Sequence, residues 1–219
     1  MEALRTYPKE IALAAGAFIA INATFYIFIA YIISYGTQIL ELPKSTILIG
    51  VLVSAVASII SLTVSSMVSD RIGRRKVYMS GAALLGLWAF PFWWLVDTKS
   101  GFLIALALVV GQIFLSMMYG PQAAFYSELF TARLRYSGAS LGYQIGAVFG
   151  GAFAPLISAA LYAAFKSSAP IAIYMVVICA ITFVSVYLLS ETYQTDVDDA
   201  KQSTGAGESS VGARGTALD

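Results

Sequence analysis

The sequence contains no histidine and only one cysteine, Cys179, among its 219 residues. Because Cys179 lies within an apolar run, we expect it to pack as a small hydrophobic side chain, and alone it forms neither a disulfide framework nor a metal cluster. Without histidine, the chain lacks the commonest metal ligand and the usual acid–base catalyst. We therefore expect no bound metal, no cofactor and no enzymatic activity.

Charged residues are also scarce. They make up 11% of the chain, whereas soluble domains carry about 25%. Hydrophobic residues make up 59%, and the net charge of +1 carries no signature of nucleic-acid binding. A chain of this size cannot bury so much apolar surface inside a soluble globule, so its solvent must be a lipid bilayer.

The charges divide the chain into uncharged runs long enough to cross a membrane as helices. These runs cover residues 11–40, 45–69, 77–96, 100–127, 136–165 and 167–190. Since lipid offers no partner to backbone groups, each run must be helical. We predict an all-α, polytopic protein in which residues 1–192 form one bundle of six transmembrane helices, at about 11–36, 45–69, 77–96, 101–126, 136–164 and 169–190. The polar residues 193–219 are predicted to be a disordered tail.

Basic residues favour one side of the predicted membrane. One side carries Arg5, Lys9, Arg71, Arg74, Arg75, Lys76, Arg133 and Arg135, and the other carries Lys44, Lys99 and Lys166. By the positive-inside rule the first side faces the cytoplasm. We therefore expect both termini, and the tail, to be cytoplasmic.

Two stretches resemble a known family. The segment SDRIGRRK, residues 69–76, is similar to the D-R-x-G-R-R/K loop motif of the major facilitator superfamily, with Ser66 where that motif begins with glycine. The segment YGPQAAFYSELFTARLRYSGASLGYQIGAVFGGAFAPLI, residues 119–157, resembles the metabolite:proton symporters of that superfamily, with Thr131-Ala132 in place of a P-T pair. The resemblance covers residues from about 10 to 190.

The resemblance implies that the six helices are one half, the C-terminal one, of a twelve-helix facilitator fold in a bacterial inner membrane. The implied partners are the lipid bilayer, a small-molecule substrate with a proton, and an N-terminal six-helix half from the same or a separate chain. It also implies a conformational latch, formed by Asp70, Arg71, Gly73, Arg74, Glu128 and Arg135. The alternative is a topology anchor with exposed ion pairs of little energetic value.

Polar residues within the fourth span share a stripe. Gln112, Ser116, Tyr119, Gln122 and Tyr126 fall within about 120° of one another on a helix. Because such a stripe is costly against lipid, it should face protein or a water-filled path. We predict that Gln112, Tyr119 and Gln122 bind substrate, and that Gly120-Pro121 interrupts the helix. Hydrogen bonding between helices is the alternative role.

The first and fifth spans supply further candidates. Asn22 and Tyr26 share one face of span one, and we favour them as substrate ligands. Tyr35 lies on the opposite face, near the outer interface, where a tyrosine belt is the usual explanation. Tyr143 and Gln144 are predicted to reach the same path.

Glycines recur every fourth residue in the fifth span, at Gly138, Gly142, Gly146 and Gly150. This small-xxx-small spacing predicts close helix packing. Pro155, which follows them, predicts a kink.

No Asp, Glu, Lys or Arg lies in the middle of a predicted span. A proton-carrying group must therefore lie in the other half, since such groups within the membrane mark proton pathways. We expect the chain to act as the C-terminal half of a proton-coupled symporter for a small polar metabolite, an organic acid or a zwitterion. The alternative is a truncated or partner-binding six-helix module without transport activity of its own.

Overall fold

The computed structural model describes residues 8–129 and 143–189, with side chains given for 11–125 and 143–189. In this part of the chain, six helices are long and apolar enough to cross a membrane. They are α1 (residues 8–38), α2 (Lys44–Ile72), α3 (Arg74–Asp97), α4 (Gly101–Leu129), α5 (Tyr143–Phe165) and α6 (Ala169–Leu189). The described residues contain no strand, which confirms the prediction of an all-α membrane protein with six spans. The predicted tail lies outside the described residues.

The turns at the two ends of the bundle differ in conformation. The α1–α2, α3–α4 and α5–α6 connections each contain a non-glycine residue of positive φ, at Glu41, Lys99 and Lys166. At the other end, α2 passes into α3 through Gly73 alone, with φ 108° and ψ 129°. Only glycine adopts this conformation readily, so Gly73 fixes where the second helix ends and the third begins.

Helix α1 is the most buried of the six described spans. Of its most apolar stretch 61% is buried, compared with 17% for α2 and 22% for α5. Its buried aromatic residues pack against α3, where the Phe28 and Phe92 rings stack at 4.7 Å and Tyr31 meets Trp93 edge-on at 6.0 Å. A helix that is apolar on most of its circumference is expected to be enclosed by the others.

Small residues bring the helices together. A Cβ on Gly120 of α4 would lie 3.0 Å from the backbone nitrogen of Ser66 in α2, and one on Gly81 of α3 would lie 3.0 Å from the carbonyl oxygen of Phe114 in α4. Between helices in lipid, packing of this kind replaces the hydrophobic effect as a source of stability.

Two of the helices are distorted and one predicted break is absent. Helix α1 contains a π-helical turn at Ile27–Tyr31, and α5 contains another at Ala147–Ala152, just before Pro155. A π-turn is a known cause of a kink, and it begins eight residues before the proline for which the kink was predicted. The predicted interruption at Gly120-Pro121 was wrong, because α4 continues through Pro121 to Leu129. The glycine instead serves the contact with α2.

Candidate functional site

The predicted binding residues of α1 lie against the distorted part of α5. Asn22 is half-buried, and its Nδ2 donates a hydrogen bond to the carbonyl oxygen of Phe18 at 3.1 Å. A Cβ on Gly150 would lie 3.2 Å from the Cβ of Asn22, and one on Gly151 would lie 2.8 Å from Cε2 of Tyr26. Glycines in the π-turn of α5 therefore make room for both side chains.

The two described glycines of the α5 stripe contact α1 directly. A Cβ on Gly146 would lie 2.6 Å from the Cβ of Phe18, and one on Gly150 would lie 2.6 Å from the carbonyl oxygen of Ile19. Neither position has space for a side chain unless α1 moves away. Gly138 and Gly142, the other glycines of the stripe, lie outside the described residues.

The stripe on α4 divides into exposed, buried and inter-helix positions. Tyr119 is 45% exposed, Gln112 is half-buried, and Gln122 is buried with no hydrogen-bond partner for its Oε1 among the described residues. Ser116 accepts a hydrogen bond at 2.9 Å from the hydroxyl of Ser61 in α2. The stripe therefore combines helix pairing at Ser116, accessible polar groups at Tyr119 and Gln112, and one buried amide at Gln122.

Tyr143 of α5 contacts α1 directly. Its ring meets Phe18 of α1 edge-on at 4.9 Å. Gln144, the next residue, is exposed. The candidate groups on α1, α4 and α5 are all neutral hydroxyls and amides, which donate and accept hydrogen bonds without carrying charge.

The α2–α3 loop holds one ion pair across its glycine. Arg74 Nη2 lies 3.1 Å from Asp70 Oδ1, and the Asp70 side chain is 60% exposed. Exposed pairs of this kind contribute about 0–1 kcal/mol. Arg71 is exposed. The side chain of Glu128 and all of Arg135 lie outside the described residues. The contacts that these two residues would make with Asp70, Arg71 and Arg74 in the predicted latch therefore stay a prediction.

Arg75 was not among the predicted site residues, yet it ties α3 to α6. Its Nη2 donates to the carbonyl oxygen of Tyr187 at 3.2 Å, and the guanidinium carbon lies 5.2 Å from the centre of the Tyr187 ring. The sequence predicted only that Arg75 faces the cytoplasm, because nothing local indicates which helix lies beside it.

Thr182 was also missed. Its hydroxyl donates to the carbonyl oxygen of Gly16 at 2.8 Å and accepts from the amide nitrogen of Ala20 at 3.1 Å. These two α1 groups are four residues apart, the spacing of an α-helical hydrogen bond, so the hydroxyl of α6 bridges two backbone groups of one turn of α1, which stays α-helical there.

Tyr35 requires a correction. It is buried rather than part of an interfacial tyrosine belt, with 2% of its surface exposed. Its hydroxyl donates to Asp97 Oδ1 at 2.6 Å, and the hydroxyl of Ser168 donates to Asp97 Oδ2 at 2.5 Å. The carboxylate at the end of α3 therefore joins the end of α1 to the α5–α6 connection.

Within residues 8–129 and 143–189, no group of three or more His, Cys, Asp or Glu could hold a metal ion.

Comparisons with known proteins point to one family. The model of the Major Facilitator Superfamily matches residues 11–215. The chain is 34% identical over 202 residues to the shikimate transporter of Escherichia coli (strain K12). The aligned residues cover 88% of this chain and 44% of that protein. It is 32% identical over 155 residues to the citrate-proton symporter of Klebsiella pneumoniae, covering 69% of this chain and 35% of that protein.

A more distant relative is the proline/betaine transporter of Escherichia coli (strain K12), 23% identical over 186 residues, 85% of this chain and 37% of that protein. The chain thus spans less than half the length of these curated relatives. No solved structure matches it significantly.

Proposed function

The chain belongs to the Major Facilitator Superfamily, and from that premise we propose that it is the C-terminal half of a proton-coupled symporter for a small polar metabolite. The relatives it matches are named as transporters rather than enzymes, and we assign this chain to a membrane transporter of the same family. The half of the twelve-helix fold to which the chain corresponds, the class of substrate and the coupling of transport to protons are the parts that we propose.

The observation that carries this proposal is the exposure of polar side chains on the otherwise apolar helices α1, α4 and α5. Tyr26 is 44% exposed and Tyr119 45%, and Tyr143 and Gln144 are exposed on α5. Polar groups at membrane depth face a cavity or a protein partner because contact with lipid is costly. A second six-helix half placed against this face would enclose a site near the midplane, as in other transporters built from repeats.

The chemistry of these groups supports an organic acid or zwitterion that also carries hydroxyl or amide groups. Asn22, Tyr26, Gln112, Tyr119, Gln122, Tyr143 and Gln144 would supply neutral hydrogen bonds to it. A substrate carboxylate needs a cation, and the described spans contain none between their ends. We therefore assign the carboxylate-binding cation and the proton-carrying group to the N-terminal half.

The proposed orientation places the α2–α3 loop and both termini in the cytoplasm of a bacterial cell, with the protein in the inner membrane. Four basic residues, Arg71, Arg74, Arg75 and Lys76, cluster at this loop, which supports the orientation. In this arrangement Asp70, Arg71, Gly73 and Arg74 would form the latch with Glu128 and Arg135, and Gly138, Gly142, Gly146 and Gly150 would form the packing face of α5.

Uptake by reconstituted vesicles tests the proposal. The chain would be compared alone and joined behind the N-terminal half of a curated relative, with radiolabelled shikimate, citrate and betaine and an imposed proton gradient. We expect gradient-dependent uptake of at least one compound by the joined protein and uptake equal to that of empty vesicles by the chain alone.

Variants within the joined protein separate binding from folding. Replacing Tyr26 or Tyr119 with phenylalanine should raise the apparent KM by about fivefold, the usual cost of one hydrogen bond. The matched control is Tyr174→Phe on α6. Because Tyr174 lies outside the proposed site, this substitution should leave KM unchanged.

A folded joined protein without uptake of any of the three compounds would contradict the proposal. The chain would then be better described by the alternative, a partner-binding module that does not transport.

A further inference from the structure

An apolar groove of about 570 Å³ lies between residues 82–90 of α3 and 176–184 of α6. Its lining contains alanine, glycine, valine, leucine and phenylalanine side chains together with Cys179, and no charged or strongly hydrogen-bonding group. None of the proposed substrate-binding residues lines it. We propose that this groove, called here the α3–α6 groove, binds one acyl chain of an anionic phospholipid whose headgroup lies beside Arg75 and Lys76.

The dimensions of the groove suit an acyl chain from one leaflet. The nine residues of helix from Ala82 to Phe90 extend about 12 Å, close to half of the roughly 30 Å hydrocarbon layer. Small side chains at Ala83, Gly86 and Ala180 form the depression, and exposed apolar side chains such as Leu87 border it, with 76% of that leucine exposed. In a bilayer such a depression is filled by hydrocarbon, because an empty one forfeits its dispersion contacts.

Positive charge lies at one end of the groove. Val184 lines the groove, and Tyr187, less than one turn further along α6, accepts the hydrogen bond from Arg75 and packs beneath its guanidinium. Lys76 follows on α3 and is exposed. Cations at this depth attract anionic headgroups of the adjacent leaflet. Charge complementarity therefore selects an anionic lipid over a zwitterionic one, whereas shape selects the acyl chain.

Native mass spectrometry of the purified full chain would test this proposal, with phosphatidylglycerol and phosphatidylcholine of identical acyl chains as probes. We expect phosphatidylglycerol to bind about fivefold more tightly or better. The variant Ala83→Trp, which fills the groove, should weaken binding of both lipids by about fivefold or more, because the acyl chain loses its place. The matched control Leu84→Trp enlarges the neighbouring residue, which does not line the groove, and should change binding by less than about twofold.

The headgroup contribution is measured separately. The double variant Arg75→Gln/Lys76→Gln should remove the preference for phosphatidylglycerol and leave phosphatidylcholine binding unchanged, whereas Lys44→Gln/Lys166→Gln, at the other end of the bundle, should preserve the preference. Should Ala83→Trp fail to fold, Ala180→Trp on the facing wall replaces it.

Three lipid-binding results would overturn the proposal. These are equal binding of the two lipids, binding unaffected by both tryptophan variants in folded protein, and displacement of the lipid by glycerol phosphate, which would indicate a site for the headgroup alone. A chain dimer that Ala83→Trp dissociates would also overturn it, because the occupant would then be a second copy. The outcome is independent of substrate uptake, since the groove and the proposed transport site share no residue.

Discussion

At the scale of single residues, Gly73 holds the α2–α3 loop in a conformation that side chains do not tolerate. Its φ of 108° with ψ of 129° lies outside the left-handed helical region, where asparagine would substitute for glycine. No atom lies within 4 Å of a Cβ built there. Any effect of substitution is therefore conformational rather than steric.

We predict that Gly73→Ala and Gly73→Asn each destabilise the protein by about 1–3 kcal/mol, the cost of a strained backbone position. Thermal unfolding followed by fluorescence-detected size exclusion would measure the loss. A stable Gly73→Asn variant beside an unstable Gly73→Ala variant would show instead that the loop relaxes to a left-handed helical conformation.

Gly150 is the other residue at which one methyl group should be decisive. Its Cβ would meet the backbone oxygen of Ile19 at 2.6 Å, and backbone within a packed helix cannot step aside. We predict that Gly150→Ala separates α5 from α1, destabilises the protein by about 1–3 kcal/mol and abolishes uptake by the joined protein. Thermal unfolding and vesicle uptake would be measured together.

The matched control is Gly50→Ala on α2. The nearest atom to its new Cβ is Cδ1 of Leu108, at 3.3 Å, the end of a flexible side chain that can rotate away. Equal destabilisation by the two variants would mean that helix propensity or general crowding, rather than the α1–α5 contact, determines the result.

At the scale of helices, the hydroxyl of Thr182 on α6 bridges two backbone groups of α1. Gly16 and Ala20, which it bridges, precede Asn22 by less than two turns. A shift of this turn of α1 would therefore carry Asn22 and Tyr26 with it relative to α4 and α5. We infer that Thr182 is a positioning residue for the proposed site, although it lies outside it.

We predict that Thr182→Val, which keeps the shape but removes both hydrogen bonds, costs about 0.6–1.7 kcal/mol of stability and raises the apparent KM of the joined protein several-fold. Thr182→Ser should restore KM because it restores the hydroxyl. The control Thr63→Val removes a hydroxyl that bonds only within α2, to the carbonyl oxygen of Ile59. If the Thr182→Val protein had a normal KM but reduced stability, Thr182 would have a structural role only and would not position the proposed site.

At the other end of the bundle, Asp97 joins the end of α1 to the α5–α6 connection, because Tyr35 and Ser168 each donate to one of its oxygens. We predict that Asp97→Asn weakens this end by about 1 kcal/mol, because an amide offers one acceptor oxygen to two donors. Hydrogen exchange of the amides of residues 32–38 should rise. A double-mutant cycle of Asp97→Asn with Tyr35→Phe should show non-additive losses; strictly additive losses would mean that the two side chains do not interact.

These helix-scale features mark the limit of what the sequence predicts. The six spans were predictable because lipid imposes helix on every long uncharged run, and a charge at each end marks the boundary. The burial of Tyr35 and the contact of Thr182 with α1 were not, because each depends on a neighbour that is distant in sequence. Thr182 lies 166 residues from Gly16, and no local pattern brings the two together. The residues proposed to bind substrate were chosen by polarity and helical face alone, and they stay predictions.

At the scale of the whole molecule, the least buried helices are α2 and α5, and the polar groups of α1 and α4 remain partly exposed beside them. Lipid and a water-filled path would cover such surfaces differently. A cysteine placed in lipid does not ionise and reacts slowly with a water-soluble maleimide, whereas one in a hydrated path reacts readily. The native Cys179 is buried, so it adds little background.

We predict that in the joined protein Tyr26→Cys and Tyr119→Cys are labelled by a water-soluble maleimide, and that a transported substrate protects them. Leu87→Cys, on the exposed apolar surface of α3, should remain unlabelled although its side chain is 76% exposed in the isolated bundle. Comparison of the three variants therefore distinguishes side chains that are exposed to lipid from side chains that are exposed to water. Because labelling requires only a folded assembly, it tests the proposed face even where the substrate is unknown. Equal labelling of all three positions would mean that the bundle is not assembled in the bilayer as proposed, and labelling of Leu87→Cys alone would place the water-filled path on the wrong face.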